Sequence, residues 1–132
     1  MIDDCYGTLL RTVARRTTAL YDEALAPAGV NLAQFALMRK IARLEGPSLT
    51  SLAQSAGLDR STIGRNVHVL ERAGLVRLVP GDDHREAAVR LSEAGSAALA
   101  QALPLWHKAQ DRLRSAFGTA AIERLRDLLQ RL

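Results

Sequence analysis

The sequence predicts a mainly α-helical chain with one small β-hairpin, in which short helices and the hairpin lie between longer amphipathic helices. Three observations lead there. Apolar residues recur at helical spacing through most of the chain. The period changes to alternation only after Gly74, on either side of a turn signal at Pro80 and Gly81. The third observation is one of scale: 132 residues with 48% hydrophobic side chains can bury one core, which bounds the chain to a single domain with extensions.

From Asp4 to about Ala26, Leu9, Leu10, Val13, Thr17, Leu20, Tyr21, Ala24 and Leu25 trace an amphipathic stripe, which Pro27 and Gly29 end. A second helix starts at Asn31, where Gln34 completes a capping-box pattern. Its inner side is expected to hold Phe35, Met38, Ile41, Ala42 and Leu44 before Gly46 and Pro47 close it. Thr50 is the expected N-cap of a third helix, SLAQSA, with Leu49, Leu52, Ala53 and Ala56 at helical spacing and Gly57 suited to a left-handed C-cap. After Leu58, Asp59 can cap RSTIGRNVHVLERA, in which Ile63, Val67, Leu70 and Gly74 share one face. LVRLV and AAVRLS then read as strands joined by the turn-forming PGDDHRE. Ser92 caps a long helix carrying Leu99, Leu103, Trp106, Leu113 and Phe117, and Pro104 inside it is expected to kink or break it. Gly118 and Thr119 precede a last helix with Ile122, Leu125, Leu128, Leu129 and Leu132 on its apolar side.

Two short helices followed by a two-stranded wing, from Leu49 to Ser92, make the order of a winged helix-turn-helix, a device for reading duplex DNA. The helix that opens at Arg60 turns Ser61, Arg65, His68 and Arg72 away from its apolar side, and every member of that row can donate a hydrogen bond. Ser61, Thr62, Arg65 and His68 are expected to face the major groove, with Arg65 suited to a guanine edge or a phosphate. Arg60 and Arg72 are placed on the DNA backbone, and Arg77 on a phosphate beside the wing. At the wing tip, Arg85 suits a narrow minor groove, where negative potential is concentrated, and Asp83 can hold its guanidinium in position. The plainer alternative is a solvated basic surface, with Asp83 and Arg85 forming an ion pair worth about 0 to 1 kcal/mol. The formal charge of +4 favours a polyanionic partner without requiring one.

The run LTSLAQSAGLDRSTIGRNVHVLERAGLVRLVPGDDHREAAVRLSEAG resembles the MarR family of bacterial transcriptional regulators. The motifs match in order: a helix opening L-T-x-L-A, a recognition helix ending L-E-x-x-G-L-V, a wing with D-x-R at Asp83, His84 and Arg85, and L-[ST]-x-x-G at Leu91, Ser92 and Gly95. Ser92 stands where threonine is commoner, which leaves the capping role intact. The resemblance extends to the flanks, because the family surrounds its winged helix with N- and C-terminal helices that dimerise. It implies a single domain over 1–132, with dimerisation helices in 1–30 and 92–132 and the DNA-binding region in 31–91. It also implies a repressor that binds an inverted-repeat operator in double-stranded DNA as a homodimer, released by a small-molecule or oxidative signal.

The residues support that dimer independently, since the terminal helices carry more apolar surface than a small winged helix can cover. Two recognition helices related by a dyad would read half-sites about 34 to 36 Å apart, one helical turn of DNA. For a small aromatic or lipophilic effector, Tyr21, Trp106 and His107 offer an aromatic wall and a polar handle; the alternatives are core packing for Tyr21 and Trp106 and a surface position for His107. Cys5, the only thiol, lies near the start of the first helix, where the helix terminus lowers a thiol pKa while Asp3 and Asp4 raise it. It is therefore weighed as an oxidant sensor against a passive cysteine, and it forms no internal disulfide.

No cofactor or metal is expected, and an enzyme fits poorly. There is no His and Cys cluster at metal-ligand spacing, no paired-carboxylate site on a rigid face and no glycine-rich phosphate loop. The lack of a long apolar run argues against a membrane partner, and MIDDCYG does not resemble an export signal, so a cytoplasmic location is expected. Two further functions share most of these features: an architectural or non-specific DNA-binding protein, and a winged helix used only for protein contacts.

Overall fold

The computed structural model describes residues 4–81 and 86–132. Its elements are α1 (Tyr6–Leu25), a 3₁₀ turn (Ala26–Ala28), α2 (Leu32–Leu44), α3 (Leu49–Ala56), α4 (Arg60–Arg72), β1 (Val76–Val79), β2 (Ala88–Leu91), α5 (Glu93–Phe117) and α6 (Thr119–Arg131). This is the helical fold with one antiparallel hairpin that the sequence predicts. No described helix is long and apolar enough to cross a membrane.

The core gathers one side of each central element. Leu25 from α1, Phe35, Met38 and Ile41 from α2, Leu52 from α3, and Ile63, Val67 and Leu70 from α4 meet Val76 and Val89 of the hairpin. Ala102 of α5 closes the cluster, with Leu99, Leu103 and Trp106 packed against it. Burying each large aliphatic side chain contributes on the order of 1.5–3 kcal/mol, so the short elements are held chiefly by this shared core. The periodicity reading holds for α4, whose Ile63, Val67 and Leu70 are all buried.

Helix ends follow local chemistry. Asn31 and Gln34 form the reciprocal capping box, with Asn31 Oδ1 accepting from Gln34 N at 2.9 Å and Gln34 Oε1 accepting from Asn31 N at 3.0 Å. The cap of α3 differs from expectation: Ser48, not Thr50, is the N-cap, and its Oγ accepts from Ser51 N at 3.0 Å. Ser48 is extended at φ −76° and ψ 166°, whereas Thr50 already lies inside the first turn and has its hydroxyl free for another partner.

Two expected core positions on α2 are exposed, Ala42 and Leu44. Ala42 borders an open hollow shared with Glu45, Arg77 and Arg90, because the hairpin stands off from the end of α2. Leu37 is buried in addition to the expected positions. Pro104 does not break its helix: α5 runs through it from Glu93 to Phe117. Proline removes the N–H that Ala100 O would accept, but both residues are exposed, so solvent can serve that carbonyl.

The hairpin pairs Val76 with Leu91, Arg77 with Arg90, Leu78 with Val89 and Val79 with Ala88. It is tied at both ends of β2. Val89 N donates to Pro47 O at 2.8 Å, and Ser92 N donates to Leu75 O at 3.0 Å. Ser92 then caps α5 through Gly95 N at 3.0 Å and donates its hydroxyl to Gly74 O at 2.6 Å. The same joint explains Gly95, since a Cβ there would lie 1.9 Å from Leu75 O. Because the obstacle is backbone, Gly95→Ala is expected to destabilise by about 3 kcal/mol, the upper end of overpacking costs, while Ser92→Ala costs about 1 kcal/mol. Thermal unfolding of the two variants checks both the values and their order.

Candidate nucleic-acid interface

The outward side of α4 is built from its first turn. Asp59 is extended at φ −76° and ψ 160° and caps the helix, with Oδ1 accepting from Thr62 N at 2.9 Å and from Ser61 Oγ at 3.1 Å. The hydrogen bonds from Thr62, then that from Ser61, hold the Asp59 carboxyl below its ordinary pKa. Arg65 Nη2 donates to Thr62 Oγ1 at 3.3 Å, so its long side chain leans back along the helix. Ser61, Arg65, His68 and Arg72 are all exposed, and Thr62 is half-buried. His68 Nδ1 lies 3.4 Å from Glu71 Oε1 on the next turn.

The structure thus brings Ser61, Thr62, Arg65, His68 and Arg72 onto one helix. Val69 joins that surface at 52% exposure, an apolar residue amid donors. Neither Val69 nor Asn66, also exposed, was singled out from the sequence. The helical angle offered a signal for Val69, which falls on the side away from Ile63, Val67 and Leu70. Arg77 is exposed on β1 and stands directly across from Arg90 on β2. Arg90 was missed because strand register, which sets this pairing, is not legible from alternation alone. Its guanidinium lies over Gly46, where a Cβ would come within 2.9 Å.

Arg60, expected on the DNA backbone, is engaged by a carboxylate within the chain. Its Nε donates to Glu86 Oε1 at 2.8 Å and its Nη2 contacts the same oxygen, while Thr50 Oγ1 donates to Glu86 Oε2 at 2.9 Å. The Arg60 hydrogen bond, followed by that from Thr50, holds the Glu86 carboxyl below its ordinary pKa. One carboxylate at the loop end of the wing therefore meets both α3 and α4. Asp83, His84 and Arg85 lie outside the described residues.

The other candidate groups are dispersed. Tyr21 is buried and donates its hydroxyl to Gln110 Oε1, and burial pushes its pKa up. It lines a hollow of about 210 Å³ with Gln110, Leu113 and Arg114, to which Trp106 and His107 do not contribute. Trp106 instead packs on Phe35 with ring centroids 5.6 Å apart, beneath the Arg39 guanidinium at 4.5 Å. His107 is exposed and meets the edge of Trp106. Cys5 is exposed at the N-cap of α1, and hydrogen bonds from Thr8 first, then Gly7, lower its thiol pKa. Among the described residues, no group of three or more His, Cys, Asp or Glu side chains is placed to hold a metal ion.

Residues 28–86 match the model of the MarR family. The M. tuberculosis transcriptional regulator MosR, solved in complex with DNA, is 33% identical to this chain, covering 96% of it and 93% of MosR, with a TM-score of 0.83. This chain belongs to the MarR family of transcriptional regulators. A second member-like structure, a probable transcriptional regulator from Pseudomonas aeruginosa, is 27% identical with 99% and 98% of the two chains covered and a TM-score of 0.81. The fold of an E. coli MarR variant solved with operator DNA is also similar, at 24% identity, 95% and 91% coverage and a TM-score of 0.84. The MarR resemblance read from the ordered motifs is borne out, and the geometry gives two of them a cause. In the L-[ST]-x-x-G motif, Ser92 caps α5 and Gly95 makes room for the Leu75 carbonyl. In the L-T-x-L-A motif, Leu52 enters the core and Thr50 reaches Glu86 in the wing loop.

The cap of this MarR-family recognition helix carries a pH dependence of known sign. The lowered Asp59 pKa stabilises the fold above the unfolded-state value of about 3.9, and that contribution is lost as pH falls through the lower folded value. Asp59→Asn keeps a capping oxygen but cannot ionise. The gap in melting temperature between the parent and Asp59→Asn is therefore expected to narrow as pH drops from 7 through this acid window, as thermal denaturation at a series of pH values measures.

Proposed function

We propose that this chain is a sequence-specific repressor that binds a palindromic operator as a homodimer and is released by a small-molecule or oxidative signal. The observation that carries the reading is the row of donors on α4, exposed and anchored by a capped first turn on a buried winged-helix core. A row of this kind suits a major groove, with Ser61, Thr62, Arg65 and His68 toward base edges and Arg60, Arg72 and Arg77 toward phosphates. In this reading Arg85 enters the minor groove, with Asp83 holding its guanidinium and His84 beside them among the DNA-binding residues. MosR, a relative solved with DNA, adds support from similarity.

The dimer rests on apolar surface left uncovered in one chain. Leu9, Leu10 and Val13 of α1 are each about 40% exposed, Phe117 of α5 is 39% exposed, and Leu125, Leu128 and Leu129 of α6 are 44%, 39% and 75% exposed. No residue of α6 is buried, although its sequence is strongly amphipathic. A second copy covers such a surface by two-fold symmetry, which assigns 1–30 and 92–132 to dimerisation and 31–91 to DNA binding. In this arrangement, the hollow beside Tyr21 lies among the dimerising helices and suits a small aromatic or lipophilic effector, while Cys5 is the residue open to an oxidant.

Selection of a binding site from random duplexes, followed by competition titration, tests the main claim. Specific binding is expected to exceed non-specific binding by about 10³-fold or more, and an affinity indifferent to sequence overturns it in favour of an architectural protein. Arg65→Ala is expected to cost about 1 to 3 kcal/mol and relax preference at one position of each half-site, whereas Arg85→Ala weakens binding through the wing. Absence of any salt-dependent DNA affinity points to a wing used for protein contacts. Sedimentation of the parent and of Leu125→Glu/Leu129→Glu checks the dimer: the parent sediments as two chains, and the double variant dissociates or loses its fold.

A further inference from the structure

We propose that Glu86 is a positioning residue for DNA binding: its carboxylate locks the loop end of the wing to α3 and α4 and sets the Arg60 guanidinium for a backbone phosphate. The proposal rests on the DNA-binding reading above and adds to it the group that orients one contact.

The two carboxylate oxygens serve different elements. Oε2 accepts from Thr50 on the first turn of α3, and Oε1 accepts from Nε and Nη2 of Arg60 on the first turn of α4. A guanidinium has five N–H donors, so this engagement leaves three for another acceptor. The Arg60 side chain remains 59% exposed, against 34% for Glu86, so the charge is held at the surface with donors left over. Arg60 is also the first residue of the recognition helix, where the helix terminus itself favours an anion.

The lock adds to the anchors that the hairpin has on this side, where Ser48 bridges Ala88 and Val89 N donates to Pro47 O. A two-stranded sheet is marginal alone, and β2 is anchored by backbone bonds at Val89 and Ser92. Glu86 lies three residues beyond Val89 toward the tip and adds a side-chain anchor there. An exposed ion pair contributes little to overall stability, so its consequence falls on where the loop end of the wing and Arg60 sit. Charge alone predicts the opposite effect on affinity. A carboxylate near a polyanion repels it, so a purely electrostatic role makes removal of Glu86 tighten DNA binding.

That difference in sign is the test. The parent, Glu86→Gln, Glu86→Ala, Arg60→Ala and the Arg60→Ala/Glu86→Ala double variant are titrated against the selected operator over a range of salt. Glu86→Ala is expected to weaken binding about tenfold, the scale of one charge-assisted contact, and to flatten the slope of log K against log salt by about 0.9. Glu86→Gln, which keeps an acceptor for Arg60, retains part of the affinity. In the Arg60→Ala background, Glu86→Ala changes affinity by less than about twofold, as expected when one residue acts through the other. Equal or tighter binding by Glu86→Ala, or additive losses in the double variant, overturns the proposal. Hydrogen exchange of the DNA-free protein supplies a second readout: amides of β2 are expected to exchange faster in Glu86→Ala and Thr50→Val than in the parent, and unchanged exchange overturns the lock. If the parent shows no operator preference, the repressor reading fails, while hydrogen exchange still decides whether Glu86 holds the loop end of the wing.

Discussion

The constraint on which the rest of the molecule depends is the close approach of the Leu75 carbonyl to the first turn of α5. Leu75 O accepts the Ser92 N–H where the hairpin ends, and it occupies the space that any side chain at Gly95 would need. With the Ser92 hydroxyl also bonded to Gly74 O and capping α5, the end of α4, the start of β1, the end of β2 and the start of α5 meet in one joint. A reading helix and a long helix joined through backbone contacts move as one piece more readily than elements joined by a loop. The position of α4 is thereby referred to α5, the element that reaches toward the uncovered apolar surface.

Much of this architecture was legible because it is written locally. Asn31 with Gln34, Asp59 before Thr62, and Ser92 before Gly95 are caps whose donor and acceptor lie within one turn, and all three form. The apolar row of Ile63, Val67 and Leu70 needed only the helical period. The cap of α3 was misplaced by two residues for a similar local reason: Ser48 and Thr50 both offer a hydroxyl, and nothing in the sequence reveals that Thr50 has a partner in the wing.

What the sequence hid depends on contacts between distant segments. Glu86 reaches Arg60 across 26 residues, and Arg77 faces Arg90 through strand register. Ala42 has the right helical angle for burial but borders the gap where the hairpin stands off. The proposed effector residues separated for the same reason. Tyr21 and Trp106 both lie on apolar stripes in sequence, yet one bonds Gln110 while the other packs against Phe35 and Arg39 of α2. On the candidate DNA surface, residue types and helix face follow from local pattern, whereas the pairing of Arg60 with Glu86 does not.

The setting of Trp106 has a spectroscopic consequence. It is the only tryptophan in the chain, and on α5 it contacts Phe35 and the Arg39 guanidinium, both of which belong to α2. A cation at 4.5 Å from the indole ring perturbs its excited state, and the half-buried ring also reports the polarity around it. Any sliding of α5 against α2 changes both influences together. The protein therefore carries a native fluorophore at the seam between its long helix and its winged-helix core, and its emission follows that seam without an added label.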